Sequence, residues 1–209
     1  MAIEHKFLSE LSELESNQMF CGESLYKESN LLIIGSFNPD NKSCLKKNGS
    51  DWFYGRTKNF FWEYLPGGMT GENLHIKNGG EADLWKSYCK ENKVIIVDLI
   101  KKIEDNVPLK DFSDKELDNR IEEGYQNVDL FDFKKAFEDI QFKKVIYTRK
   151  GWDPKKNKDI SKLIKIKDSA NSILIENKII KDYTGIKYCP APWQKRSTTK
   201  AQWFEAINQ

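Results

Sequence analysis

Two asparagines and one tyrosine lie close together in the sequence, within residues 31–65, and their side chains could support hydrogen-bond and stacking chemistry. Asn38 follows an apolar run, and Tyr54 and Asn59 flank a basic turn further along. An asparagine amide cannot act as a strong base, so its role would be to orient a substrate or a water molecule. A tyrosine ring in the same site could stack on a planar ligand.

The elements that must position these residues are predicted by short apolar runs alternating with helical patterns. Strands are predicted at residues 31–34, 94–99, 144–148 and 185–189, and the first two are apolar enough to be buried on both faces of a parallel sheet. Helices are predicted near residues 7–14, 59–64, 81–89, 113–123, 131–140, 157–166 and 198–207. Ser113 and Glu116 form a capping-box pattern. Residues 173–184 fit a hairpin or an extra strand, and the pattern does not decide between them.

This alternation predicts an α/β fold, a three-layer α/β/α sandwich around a mostly parallel four-stranded sheet. We expect one domain over residues 1–209, with residues 1–30 as a helical extension packed on it. Ligands of such sheets bind beyond the carboxyl ends of the strands. The predicted site therefore lies at residues 35–40, at Asp98 and at residues 190–193.

Several classes of protein are excluded by what the sequence lacks. It has no glycine-rich dinucleotide loop, no phosphate-binding loop and no nucleophile elbow, so nicotinamide enzymes, P-loop nucleotidases and α/β-hydrolases are not expected. The four cysteines are scattered singly, and His5 and His75 are predicted to be solvated, so neither a metal nor a cofactor is expected. No apolar run approaches the roughly 18 residues of a membrane helix. We expect a monomer in the cytoplasm.

Charge is distributed unevenly along the chain although the formal net charge is only +2. Residues 101–142 carry 7 basic and 12 acidic side chains, whereas residues 143–209 carry 16 basic and 6 acidic ones. A basic C-terminal third could face phosphates. Solvated surface lysines explain the same count, so charge alone does not establish a nucleic-acid partner.

The order of motifs resembles the uracil-DNA glycosylase superfamily, most closely its mismatch-specific and hypoxanthine-directed branches. The first motif is Gly35-Ser36-Phe37-Asn38-Pro39, and the second is Tyr54-Gly55-Arg56 followed by Asn59-Phe60-Phe61-Trp62. The strand ending in Asp98, the third strand and the loop after Pro190 then follow in the family's order. The resemblance covers the chain from Leu31 to its end.

This resemblance implies a monofunctional, metal-independent DNA glycosylase that hydrolyses the bond between the sugar and a flipped deaminated base, uracil or hypoxanthine. Its partner would be DNA containing a damaged or mismatched base. Asn38 would hold the attacking water, and Asn59 matches an asparagine of catalytic importance. The base would be bound by Gly35, Ser36, Phe37, Tyr54 and Asp98. A loop pressing into the duplex would contain Pro192, Trp193, Lys195, Arg196 and Ser197.

Each of these residues also has an ordinary structural explanation. Asn38 before a proline is a common turn residue, and Asn59 could simply cap the following helix. Tyr54 could belong to the core, Asp98 could cap a strand end, and Lys195 and Arg196 could be surface charges.

The sequence also departs from the family pattern. Asp40 replaces a glycine of the mismatch-specific branch, and the loop after Pro190 lacks the usual asparagine or histidine. These departures predict a divergent member. They also support an alternative, a catalytically weakened module of the same fold that binds DNA or a partner. An enzyme acting on free nucleosides is a third hypothesis.

Overall fold

The computed structural model describes residues 2–25, 27–47, 49–75, 81–111, 113–149, 160–193 and 196–209. At its centre is a four-stranded parallel sheet with the strand order β5-β4-β8-β9. The strands are β4 (Glu28–Gly35), β5 (Val94–Asp98), β8 (Gln141–Tyr147) and β9 (Ile186–Tyr188). Leu31 to Ile34 and all of β5 are buried. The predicted α/β class and four-stranded parallel sheet are therefore confirmed.

Helices flank this sheet on both faces. They are α1 (Leu8–Asn17), α2 (Phe61–Met69), α3 (Ala82–Asn92), α4 (Asp114–Arg120), α5 (Phe133–Ala136), α6 (Ser161–Glu176) and α7 (Ser197–Asn208). The crossover from β4 to β5 and the crossover from β8 to β9 run in opposite directions across the sheet. Because both crossovers are right-handed but run in opposite directions, α3 and α6 lie on opposite faces of the sheet. The order of the strands reverses between β4 and β8, and ligands of α/β sheets usually bind at such a reversal.

A second, antiparallel sheet joins the N-terminal segment to the region that follows β5. It has the order β1-β6-β7, formed by β1 (Ala2–Glu4), β6 (Ile100–Glu104) and β7 (Val128–Leu130). Just after β1, His5 makes an isolated antiparallel bridge to Pro39. This bridge connects the N-terminal segment to the loop that contains Asn38. A small hairpin of β2 (Met19–Phe20) and β3 (Glu23–Ser24) follows α1.

The sequence patterns did not predict the antiparallel sheet, and they placed several element ends differently. Residues 173–184 form neither a hairpin nor a strand, because α6 continues to Glu176 and a short 3-10 turn covers Tyr183–Gly185. Part of the predicted helix at residues 157–166 lies outside the described residues. The Ser113 hydroxyl accepts the N–H of Glu116 at 3.2 Å, so Ser113 caps α4 as predicted. The N–H of Ser113 donates to Asp111 and not to Glu116, so the second half of the capping box is not formed. Among the residues described, none of the helices has the length and hydrophobicity needed to span a bilayer.

Candidate functional site

A pocket of about 380 Å³ opens at the carboxyl ends of the parallel strands. Most of the residues predicted for the site line it together: Ser36, Phe37, Asn38, Tyr54, Asn59, Asp98, Pro192 and Trp193. Phe53, Arg56, Thr148 and Arg149 also line it, and the sequence patterns did not identify them as site residues. The sheet topology explains why these residues lie together. The parallel strands β4, β5 and β8 end side by side, so the residues that follow each strand lie at the same edge of the sheet.

The floor of the pocket is formed where Gly35, Asp98 and Tyr54 meet. A Cβ atom on Gly35 would lie 2.0 Å from Asp98 Oδ1 and 2.5 Å from the Tyr54 hydroxyl oxygen. A side chain at this position would have to displace both groups, and its absence lets a carboxylate and a phenol approach each other. Asp98 is 4% exposed, and its Oδ2 atom lies 2.7 Å from His5 Nε2.

Asn38 is held by a basic side chain from the second motif. Its Oδ1 atom accepts a hydrogen bond from Arg56 Nη2 at 3.0 Å, and its backbone oxygen accepts the N–H of Lys6 at 2.7 Å. Asn38 is buried, and Arg56 is half-buried. Burial lowers the pKa of Arg56, and the nearby Asp98 carboxylate opposes that shift. The Arg56 contact fixes the orientation of the Asn38 amide at the pocket wall.

Asn59 comes one residue before Phe60, the N-cap residue of α2, and its side chain bonds the first turn of that helix. Its Oδ1 atom accepts the N–H of Phe61, the first residue of α2, at 2.9 Å. Within the described part of the chain, its amide nitrogen has no hydrogen-bond partner, and the residue lines the pocket. Asn59 is therefore not the N-cap residue that the sequence left open, although its side chain bonds the backbone of the first helical residue. The side-chain oxygen of Asn59 accepts a hydrogen bond from the start of α2, while its amide nitrogen is available to a ligand.

Tyr54 forms part of the pocket wall in a strained backbone conformation. Its φ of 59° lies in the left-handed region, which is uncommon for a bulky residue and is often stabilised at functional sites. The ring stacks on Phe61 at a centroid distance of 4.3 Å, and the hydroxyl hydrogen-bonds Thr148 Oγ1 at 3.0 Å. Burial, reinforced by Asp98, raises the pKa of Tyr54 well above its ordinary value. The hydroxyl is therefore neutral at physiological pH.

The rim of the pocket carries the residues predicted to contact DNA. Trp193 is 58% exposed, whereas Pro192 is buried and its backbone oxygen accepts the N–H of Phe60 at 2.6 Å. Arg196 and Ser197 are exposed at the start of α7 and do not line the pocket. Lys195 lies outside the described residues.

The prediction that His5 is solvated is wrong. His5 is 2% exposed because phenylalanine rings and the edge of β6 enclose it. The sequence offered no signal for this position, since β1 and the bridge to Pro39 depend on contacts distant in the chain. His75 is half-buried, and its ring packs against Phe60 at 4.8 Å.

Asp114, which contacts two residues of the pocket, was also not identified from the sequence. Ser36 Oγ donates to Asp114 Oδ1 at 3.0 Å, and Arg149 Nε lies 3.2 Å from Asp114 Oδ2. Asp114 thus ties the end of β4 to the residue that follows Thr148. Thr148 and Arg149 come directly after β8, so the strand-end rule that selected Asp98 could have found them. Among the described residues, no group of three or more His, Cys, Asp or Glu side chains is placed to hold a metal ion.

Comparison of the whole structure with solved structures identifies the class of fold. The chain has the fold of the uracil-DNA glycosylase type, with a parallel four-stranded sheet flanked by helices. One similar structure is the solution NMR structure of a provisionally assigned uracil DNA glycosylase from Methanosarcina acetivorans. The two share 16% identity and a TM-score of 0.50, over 88% of this chain and 91% of that one. No protein-family model and no curated protein sequence matches the chain.

Proposed function

We propose that this protein is a monofunctional DNA glycosylase that removes a deaminated base, uracil or hypoxanthine, from DNA. The observation that carries the proposal is the convergence of Asn38, Tyr54, Asn59 and Asp98 on one pocket. Its volume of about 380 Å³ falls at the lower end of the range for small-ligand sites and is suited to a single flipped base. The similarity of fold supports the proposal independently of these side chains.

The reaction would be a hydrolysis, in which the oxygen of a water molecule bonds to C1′ of the sugar. The bond between C1′ and the base nitrogen breaks, and the electron pair leaves with the base. The proton that the water loses ends on the departed base, so the products are the neutral base and an abasic sugar. Positive charge develops on the sugar and negative charge on the base, so well-placed dipoles and charges can lower the barrier without a covalent intermediate. No metal is required for such a step.

Each polar group then has a proposed task. The Asn38 amide, fixed by Arg56, would orient the attacking water, and the free amide nitrogen of Asn59 would donate to the substrate. Tyr54 would stack on the flipped base. Ser36 and Phe37 would line the base pocket, with Asp98 at its floor, and Gly35 would leave the space that the Asp98 carboxylate occupies.

The rim would contact the duplex. Trp193, carried on a loop that Pro192 anchors to Phe60, is exposed and positioned to fill the space left by a flipped base. Arg196 and Ser197 would contact phosphates, and the sequence assigns the same role to Lys195. In this proposal the whole chain works as one domain and as a monomer.

The experiment that tests the proposal is base release from labelled oligonucleotides, each carrying one uracil, hypoxanthine, xanthine or mismatched base. It is run with a chelator present, and alkali cleaves the abasic sites. We expect release of at least one base, reduced about 100-fold in Asn38→Ala, because misoriented water costs that much in rate. Salt-sensitive DNA binding without release, by folded protein in excess, would instead identify a binding module.

A further inference from the structure

His5, which comes from the N-terminal segment, contacts the Asp98 carboxylate at the floor of the pocket. The His5 side chain is fully inaccessible to solvent and is surrounded by the rings of Phe7, Phe37 and Phe53 at centroid distances of 5.6–5.9 Å. Its backbone N–H donates to Lys101 at 2.9 Å, which holds this segment against β6. The imidazole therefore has a fixed position beneath the pocket.

The hydrogen bonds of the imidazole determine where its proton lies. The backbone N–H of Phe7 points to His5 Nδ1 at 3.0 Å, so Nδ1 must be the acceptor. The ring proton is then on Nε2, which donates to Asp98 Oδ2 at 2.7 Å. The same tautomer satisfies both contacts, and a second proton on Nδ1 would face the N–H of Phe7. In this arrangement Nε2 donates and Nδ1 accepts, and the N–H of Phe7 prevents the two nitrogens from exchanging these roles.

Asp98 therefore presents a single kind of hydrogen-bonding group to the pocket. Among the described residues, His5 is the one hydrogen-bond partner of its carboxylate. The other oxygen, Oδ1, lies over Gly35 beside the Tyr54 hydroxyl, at the pocket floor. A carboxylate accepts hydrogen bonds and has none to donate. If a bound base placed a hydrogen-bond acceptor against Asp98 Oδ1, the two acceptors would repel each other.

We propose that His5 fixes Asp98 as a hydrogen-bond acceptor, so that the pocket takes a base whose inner edge presents an N–H donor. This inference rests on the proposed glycosylase function and names the recognition rule of that site. The donor can be a ring N–H, as in uracil and hypoxanthine, or an exocyclic amino group, as in cytosine and adenine. Asp98 contacts the base, and His5 acts on specificity through Asp98.

The His5 tautomer makes an isosteric change at Asp98 informative. In D98N the new amide must turn its oxygen toward the Nε2–H of His5, because two donors cannot face each other. Its NH2 group then faces the pocket, and the floor changes from acceptor to donor. H5Q removes the restriction, since a glutamine amide can accept as well as donate. In H5Q/D98N the amide at position 98 can again turn its oxygen toward the base.

The test measures base release from duplexes carrying uracil, cytosine, hypoxanthine or adenine, using the full chain with D98N, H5Q and H5Q/D98N. We expect D98N to reduce release of the base preferred by the wild type about 10- to 100-fold, the cost of losing a charged hydrogen bond at a buried donor. We expect H5Q/D98N to recover at least about 10-fold of that loss. The uracil–cytosine and hypoxanthine–adenine pairs distinguish a ring N–H from an amino group.

A second measurement separates this inference from the proposed function. Affinity is measured for duplexes in which the same bases are attached to a 2′-fluoroarabino sugar, which resists hydrolysis. Absence of release by the wild type from every duplex would overturn the glycosylase proposal, while the binding series still tests the recognition rule. The recognition rule is overturned when D98N binds or releases the four bases with the wild-type order of preference. It is also overturned when H5Q/D98N neither binds nor releases the preferred base better than D98N does. Thermal unfolding of each variant shows that it is folded.

Discussion

Gly35 and Asp98 end neighbouring parallel strands in register, and the carboxylate of Asp98 occupies the space that a side chain on Gly35 would need. A Cβ atom there would stand 2.0 Å from Asp98 Oδ1. The same point lies 2.5 Å from the Tyr54 hydroxyl oxygen. The absence of a side chain at Gly35 therefore creates the pocket floor.

The first prediction is that Gly35→Ala abolishes most activity by displacing Asp98 and Tyr54. We expect base release to fall about 100-fold, since a displacement of about 1 Å at a reacting group has that effect. The matched control is Gly49→Ala, because a Cβ on Gly49 meets nothing within 4 Å. Equal rates for the two variants in the oligonucleotide assay would show that the floor geometry does not matter for catalysis.

The second prediction separates the two tasks of Asn59. Asn59→Asp keeps the oxygen that accepts the Phe61 N–H and removes the amide nitrogen, whereas Asn59→Ala removes both. We expect N59A to lose about 1 kcal/mol of unfolding free energy, the usual contribution of one hydrogen bond, and N59D to lose little. Both variants should release base at least about 10-fold more slowly. The measurements are denaturant unfolding and base release, and wild-type rates in N59D would leave Asn59 with its bond to the helix alone.

Much of the central sheet could be predicted from local sequence, because buried parallel strands are short, apolar and β-branched. The runs at Leu31 and Val94 gave β4 and β5, and the strand-end rule then located Asp98. The antiparallel sheet could not be found this way. Lys101 and Lys102 interrupt the apolar pattern of β6, and β1 is only three residues long, so pairing across the chain stabilises them.

Within the site, the residues that directly follow strands could be predicted from the sequence. The residues that reach the site from a loop or from the N-terminal segment could not. Arg56 stood inside the second motif, yet its contact with Asn38 depends on the path of the intervening loop. His5 lies 93 residues from Asp98 in the chain, and no periodicity connects them. The bond of Asn59 to the start of α2 was foreseeable because it is a local interaction, although the N-cap residue itself is Phe60.

The third prediction concerns the ring and the hydroxyl of Tyr54. Tyr54→Phe keeps the stack on Phe61 and loses the hydrogen bond to Thr148, so we expect a loss of about 1 kcal/mol in stability and less than about 10-fold in base release. Tyr54→Ala removes the stacking surface and should lower the rate by about 10-fold or more.

The pH dependence gives an independent check on Tyr54. Burial disfavours the phenolate and raises the pKa of Tyr54, so the hydroxyl keeps its proton from about pH 7 to 9.5. Wild type and Y54F should therefore have rate profiles of the same shape over that range. An alkaline decline that is present in the wild type and absent from Y54F would mean that this tyrosine titrates there.

The last prediction tests the exposed aromatic side chain at the rim. Trp193 is 58% exposed at the pocket, and Tyr183, at the other end of β9, is 62% exposed. We expect Trp193→Ala to weaken binding to DNA carrying a target base by about 1–3 kcal/mol, the contribution of one stacked base. Tyr183→Ala should leave the affinity unchanged. Fluorescence anisotropy at a single stated salt concentration measures both, because phosphate contacts make affinity depend strongly on salt. Equal affinities for the two variants would place the duplex away from this rim, since a tryptophan inserted into the base stack cannot be removed without loss of binding.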